Sequence, residues 1–138
     1  MRLEYFLVAD SIVIDQITNR VSILQIVDNV TVASFPCILP GFSTVAGFAV
    51  PAESLGKLKR VSLRVSGGAL PQSHELATSF TSNGTHHRLV HRLDHIALEC
   101  GGDLDLDIMI DGVHLGRRTI SVRQSLAADS IRVAAAPL

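Results

Sequence analysis

The first 35 residues constrain the fold most, because they hold two long apolar runs with neither glycine nor proline. The first run ends near Ile14 and the second spans Val21 to Val32, with polar residues between them. Valine, isoleucine and aromatic side chains are typical of strands rather than helices. We therefore predict two long antiparallel strands joined by the loop 15–20. Such a pair is not stable alone in water, so later strands must pack against it.

The rest of the chain alternates short apolar segments with turn signals and shows no convincing long helix. At 138 residues it can form one domain with one core. This spacing predicts an all-β, single-domain antiparallel β-sandwich of about eight strands. An Ig-like, a C2-like and a jelly-roll topology all stay open. We assign residues 1–123 to the sandwich and residues 124–138 to an Ala-rich tail, either an edge strand or an arm that orders on a neighbour.

Two dipeptides predict hairpins. Asp111-Gly112 sets Ile110 opposite Val113 and Ile108 opposite Leu115, and a bulge is expected at Gly116-Arg117 because the apolar parity changes there.

Asn83-Gly84 is expected to turn strand 76–82 back onto strand 85–93.

Residues 88–98 allow two interpretations. We favour a strand with an irregularity near Asp94 and His95. The alternative is a helix, which would group the apolar residues at i, i+4 and i+7.

Composition excludes several partners. The net charge is −1, the pI is about 6.6, and no basic block stands out, so neither nucleic acid nor an anionic membrane is expected. Aromatic residues make up only 4%, which counts against carbohydrate clefts. The charged fraction of 18% is low beside 47% apolar residues, and this favours a protein that hides surface in a partner or homo-oligomer.

The two cysteines, Cys37 and Cys100, are interpreted as reduced, buried side chains. Charged residues interrupt the opening apolar run, so no signal peptide is expected, and no apolar stretch is long enough to span a membrane. These features predict a cytoplasmic protein.

Four histidines, His86, His87, His91 and His95, fall within ten residues. His87, His91 and His95 share strand parity, which would direct imidazoles to one face. A metal site needs a third or fourth ligand and a second shell, and the adjacent Arg88 and Arg92 repel a cation. The alternative is a solvated, weakly pH-sensitive surface.

Four aspartates, Asp103, Asp105, Asp107 and Asp111, could suggest a calcium site. Alternate residues on a strand lie about 7 Å apart, too far for one ion. Cross-strand pairing offers a simpler role: Asp105 opposite Arg118 or, with the bulge, Asp107 opposite Arg117. We assign no metal, cofactor-binding or catalytic residue. No nucleophile elbow or phosphate loop is present, and we expect no enzyme.

Several segments together resemble a family of small uncharacterised prokaryotic β-sandwich domains. They are the opening Leu3–Asp10 strand, the run Val21–Leu24, Phe35-Pro36 with Leu39-Pro40, and the Asp111-Gly112 hairpin. The resemblance implies the sandwich fold and, since the family has no assigned activity, no functional residue.

The sequence thus predicts a non-enzymatic interaction or assembly subunit that self-associates, because both faces of the opening strands are apolar. A subunit of a viral or phage-like particle is a special case. The alternative is a small-molecule or metal-binding module that uses the His86–His95 segment.

Overall fold

The computed structural model describes residues 1–125, and these form an all-β domain, as predicted. The described chain contains eleven strands and one short 3-10 turn, Ala52–Ser54. The strands are β1 (Arg2–Ile14), β2 (Val21–Ile26), β3 (Asn29–Val32), β4 (Cys37–Leu39), β5 (Phe42–Ala49), β6 (Leu58–Ser66), β7 (His74–Thr81), β8 (His86–Leu93), β9 (Ile96–Leu98), β10 (Gly102–Ile110) and β11 (Val113–Gln124). The expected count of about eight was too low because two of the predicted strands are each divided in two, and because the proline-flanked segment Cys37–Leu39 forms the additional strand β4.

Two large sheets pack face to face around one core. Sheet A has the order β2-β1-β5-β8, sheet B has the order β3-β11-β10-β6-β7, and a small sheet pairs β4 with β9. Alternate apolar residues of both large sheets are fully buried between them, including Phe48, Leu63 and Leu104. The pairing of β3 with β11 is parallel, so the purely antiparallel prediction is wrong at this edge.

The opening hairpin is confirmed, with Ile14 of β1 opposite Val21 of β2. The second apolar run is not one strand, however. The Val27 amide still bonds to the Val8 carbonyl in sheet A, at 2.8 Å, whereas the Asp28 carbonyl accepts from the Ser121 amide in sheet B, at 3.3 Å. The chain therefore changes sheets within two residues, and Val30 and Val32 continue as β3.

The far half of this hairpin, residues 10–26, folds back over sheet A; we call it the arm. In register, Tyr5 lies beside Gly47, and Gly47 lies beside Arg88 of β8. Ile14 is nine residues further along β1 than Tyr5, which is about 30 Å in an extended strand. Arg88 nevertheless reaches Asn19 beyond the end of β1, with Nη2 2.9 Å from Oδ1. Only a strongly bent arm allows this contact.

The predicted hairpin at Asn83-Gly84 does not form. Strand β7 pairs with β6 in sheet B, and β8 pairs with β5 in sheet A. The residues flanking the turn bond to the segment after β5: the Gly56 amide donates to the Ser82 carbonyl, and the Val50 amide donates to the Thr85 carbonyl. That segment separates β7 from β8, so the dipeptide carries the chain from one sheet to the other.

The irregularity expected near Asp94 and His95 is confirmed. Strand β8 ends at Leu93, His95 has a φ of 57°, and β9 then begins at Ile96 and pairs with β4. The break lets Leu93, Ile96 and Leu98 all enter the core, although their sequence parity differs.

In the last hairpin, Ile110 lies opposite Val113, as predicted. The bulge falls one residue earlier than expected, at Leu115, so Ile108 faces Gly116 and not Leu115. This register places Asp107 opposite Arg117 and Leu106 opposite Arg118. Arg118 in turn donates from Nε to the Phe6 carbonyl at 2.8 Å, which ties β11 to β1 of the other sheet.

Strand β11 extends to Gln124, one residue beyond the expected end of the domain. The tail prediction concerns residues 124–138, and residues 126–138 lie outside the part that the structure describes.

Cys37 and Cys100 are both free thiols. Cys37 is half-buried, but Cys100 is exposed because it lies in the turn before β10, so its predicted burial is wrong.

Candidate functional site

A cavity of about 590 Å³ opens where the arm returns to sheet A. Its lining residues come from β1, β5, β8 and the loop of the arm: Glu4, Tyr5, Asn19, Gly47, Phe48, His86, His87 and Arg88. The volume lies within the range of about 300–1,000 Å³ that small-molecule sites occupy. We call this cavity the arm pocket.

Polar groups converge in the arm pocket from three directions. His86 Nε2 lies 3.4 Å from Glu4 Oε1, which forms an ion pair when the imidazole is protonated. The Arg88 guanidinium donates to both the side-chain and the main-chain oxygen of Asn19, at 2.9 and 3.3 Å. A bulge in β1 between Leu3 and Tyr5 adds Glu4 as an extra residue in the strand. The pocket therefore presents a carboxylate, an imidazole and a guanidinium to a ligand.

The Tyr5 ring covers Gly47 on the outer face of sheet A. A Cβ atom at position 47 would collide with the Tyr5 ring, so the absence of a side chain is what lets the ring pack against β5. Tyr5 is 41% exposed, and its free surface forms one wall of the pocket. An aromatic wall beside polar groups is typical of sites that hold a planar ligand.

The three histidines of the alternative metal site, His87, His91 and His95, do not come together. His87 stacks on Phe80, with 4.1 Å between ring centroids. His91 lies four residues further along the strand, about 13 Å away. His95, beyond the end of β8, lines a separate cavity of about 170 Å³. Among residues 1–125, no group of three or more histidine, cysteine or acidic side chains is arranged to hold a metal ion.

Burial governs the protonation of two histidines. Both His87 and His91 lie on the core side of β8, because they pair with Phe48 and Thr44 of β5. Desolvation lowers the pKa of each imidazole below its ordinary value, since the charged form loses its hydration. The solvated, weakly pH-sensitive surface predicted for this segment is therefore only partly correct: these two rings are half-buried.

Of the four aspartates considered for calcium, Asp105, Asp107 and Asp111 have separate partners, and among residues 1–125 the four, with Asp103, form no shared cation site. Asp105 accepts from Thr119 Oγ1 at 2.7 Å, and Asp111 accepts from the Arg60 amide at 2.9 Å. Asp107 is 5% exposed and lies opposite Arg117, which is the pairing predicted for the bulged register. Its pKa is lowered, chiefly by the hydrogen bond from Arg117.

One face of the arm is apolar and exposed. Val13, Leu24 and Ile26 are 52%, 48% and 55% exposed, and cross-strand register places them on the same side of the β1–β2 ladder. On the same outer side of sheet A, Ala9 and Val45 are fully buried although they lie outside the core cluster. The prediction that both faces of these strands are apolar is correct, and the domain covers only part of the outer face.

Sequence reasoning found the histidine segment but missed the other half of the pocket. Glu4, Tyr5 and Asn19 enter the site because β1 bulges and the arm bends back. The only sequence signal was Asn19 in a polar loop, a residue type that tolerates the positive φ of 58° found there. Nothing in the sequence pairs Asn19 with Arg88.

The described residues contain no helix of the length and apolarity needed to cross a membrane.

The fold and the site define a class of protein: a small all-β domain with two packed sheets, a polar pocket and an exposed apolar arm. The chain belongs to the family of unknown function DUF6941, which residues 4–123 match. No curated protein and no solved structure matches it.

Proposed function

We propose that this protein is a non-enzymatic interaction subunit that associates with copies of itself through the arm. The observation that carries the proposal is the exposed apolar face formed by Val13, Leu24 and Ile26. At the tip of the same arm, Ile17 is 96% exposed. Contiguous exposed apolar surface on a monomer is typical of interaction sites, because its burial in a contact is favourable.

The low charge of the chain supports the same function, since few charged groups would have to be desolvated in a contact. Two free thiols, Cys37 and Cys100, support a reducing compartment, and we place the protein in the cytoplasm.

Light scattering coupled to size exclusion tests the proposal on the full 138-residue chain. We expect a discrete oligomer whose mass falls toward the monomer at low concentration. The double variant Leu24→Ser, Ile26→Ser should shift the mass to the monomer. Leu58→Ser is the matched control, because Leu58 is 71% exposed at the start of β6. A wild-type chain that stays monomeric at high concentration would contradict the proposal.

The arm pocket favours a second function, the binding of a small polar molecule. Its volume, its aromatic wall and the convergence of Glu4, His86 and Arg88 support this alternative. A ligand at a hundred times its Kd stabilises a protein by about 2.7 kcal/mol, so a thermal-shift screen of small polar compounds would detect it. A real hit should disappear in Arg88→Ala and persist in Arg64→Ala, which changes an exposed arginine of sheet B.

A further inference from the structure

Strand β2 is an unusually unprotected sheet edge. The two large sheets end in four edge strands: β2, β8, β3 and β7. Both β7 and β8 contain histidine and charged residues, and β3 is four residues long with its valines packed against the core. Strand β2, with the sequence Val-Ser-Ile-Leu-Gln-Ile, has no charge and no proline. Protein edges normally carry such residues to prevent pairing with other strands.

The hydrogen-bonding pattern shows which groups of β2 face outward. The Asp15 amide donates to the Arg20 carbonyl at 2.8 Å, while the Asp15 carbonyl accepts from the Asn19 amide, so Asp15 and Arg20 face each other at a hydrogen-bonded position of the ladder. Hydrogen-bonded and non-bonded pairs alternate in an antiparallel ladder. The amides and carbonyls of Val21 and Ile23 therefore point away from β1. Within residues 1–125, β2 pairs with β1 alone.

We propose that β2 pairs antiparallel with β2 of a second copy, about a two-fold axis beside Ser22. In this register Val21 exchanges both backbone hydrogen bonds with Ile23 of the second copy, and the reciprocal pair forms by symmetry. The inference rests on the proposed self-association and names its interface. Sheet A of each copy then joins into one eight-stranded sheet.

The lack of charge on β2 and its small Ser22 side chain both favour a second copy of the chain as the partner of this edge. A two-fold axis places identical residues close together, so a charged edge such as β8 would bring like charges into contact. The uncharged β2 has no such repulsion, and the small Ser22 side chains meet at the axis. In this register Leu24 lies opposite Arg20 of the second copy, and Gln25, with a φ of 58°, ends the regular edge.

Charge reversal at position 22 tests the axis. Ser22 is exposed, so Ser22→Lys and Ser22→Glu should fold normally, as far-ultraviolet circular dichroism can verify. Each variant alone should dimerise more than about tenfold less tightly, because like charges meet at the axis. An equimolar mixture should regain the dimer as a mixed pair of the two variants. Ser22→Thr, which keeps the position neutral, is the control.

The outcomes separate the two proposals. If the wild-type chain dimerises and the charged variants dimerise equally well, the β2 interface is wrong while self-association stands. If the wild-type chain is monomeric, self-association itself fails. Hydrogen exchange gives a readout that needs no substitution: the Val21 and Ile23 amides should be protected in the dimer and exchange rapidly on dilution. Equal exchange in both states would overturn the β2 interface.

Discussion

Arg117 holds both carboxylate oxygens of Asp107 across the β10–β11 ladder, with Nε 2.8 Å from Oδ1 and Nη2 3.2 Å from Oδ2. His114 adds a third contact, at 2.7 Å from Oδ1. The carboxylate is nearly buried although it lies on the outer face of sheet B, because its own partners cover it. The bulge at Leu115 brings His114 and Arg117 to the same acid.

Replacing this acid should destabilise the domain. We expect Asp107→Ala to lower the free energy of unfolding by about 1.5–3 kcal/mol, since it removes hydrogen bonds between charged groups. Asp105→Ala is the matched control: it removes one exposed contact to Thr119 and should cost about 0.5–1 kcal/mol. Urea unfolding measures both. Equal losses would show that the Arg117 pair adds nothing specific.

The two half-buried histidines make stability depend on pH. His87 and His91 have folded pKa values below 6.5, so the unfolded chain binds protons more readily. Their stabilising contribution is complete above about pH 6.5 and is lost as the pH falls toward the folded values. We expect His91→Gln to flatten the fall in melting temperature between about pH 7 and 5. Parallel curves for variant and wild type would refute this.

Shortening a side chain in the core between the sheets should strongly lower the free energy of unfolding. Leu104 is fully buried near the start of β10, so Leu104→Ala should cost about 2–5 kcal/mol from lost contacts and a residual cavity. Leu58→Ala, at an exposed leucine, should stay within about 0.5 kcal/mol. Chemical denaturation of the two variants compares them directly. A small loss at Leu104 would mean that the sheets do not pack as described.

The loop at the tip of the arm should become more mobile when its contact with Arg88 is removed. Arg88→Gln removes the guanidinium bonds to Asn19, so amides of the loop 15–20 should exchange faster. Global stability should change little, because surface contacts of this kind contribute about 0–1 kcal/mol. Arg64→Gln, on the outer face of sheet B, is the control. Unchanged exchange in the loop would show that other contacts hold the arm down.

Local patterns predicted much of the fold. The alternation of Leu58–Ser66 matches β6 with Val61, Leu63 and Val65 buried, and the Asp111-Gly112 turn fixes the last hairpin. These features depend on neighbours in sequence, which is why they could be read from the chain.

The errors arise where the chain changes sheets. A strand that continues and a strand that crosses to the other sheet have the same apolar pattern. The residues at Val27-Asp28 and Asn83-Gly84 therefore did not predict that the chain changes sheets there. Hydrogen bonds to Ser121 and to Val50 and Gly56 decide these two crossings, and their partners are distant in sequence. The arm pocket was missed for the same reason, because Asn19 and Arg88 are 69 residues apart.

These crossings determine how the domain can be divided. Each large sheet takes strands from both halves of the chain: sheet A contains both β1 and β8, and sheet B contains both β3 and β11. A cut at the middle of the chain, between β6 and β7, divides both large sheets, so neither half is expected to fold by itself. Two separately expressed halves should instead be unfolded alone and acquire structure only on mixing, as a split reporter does.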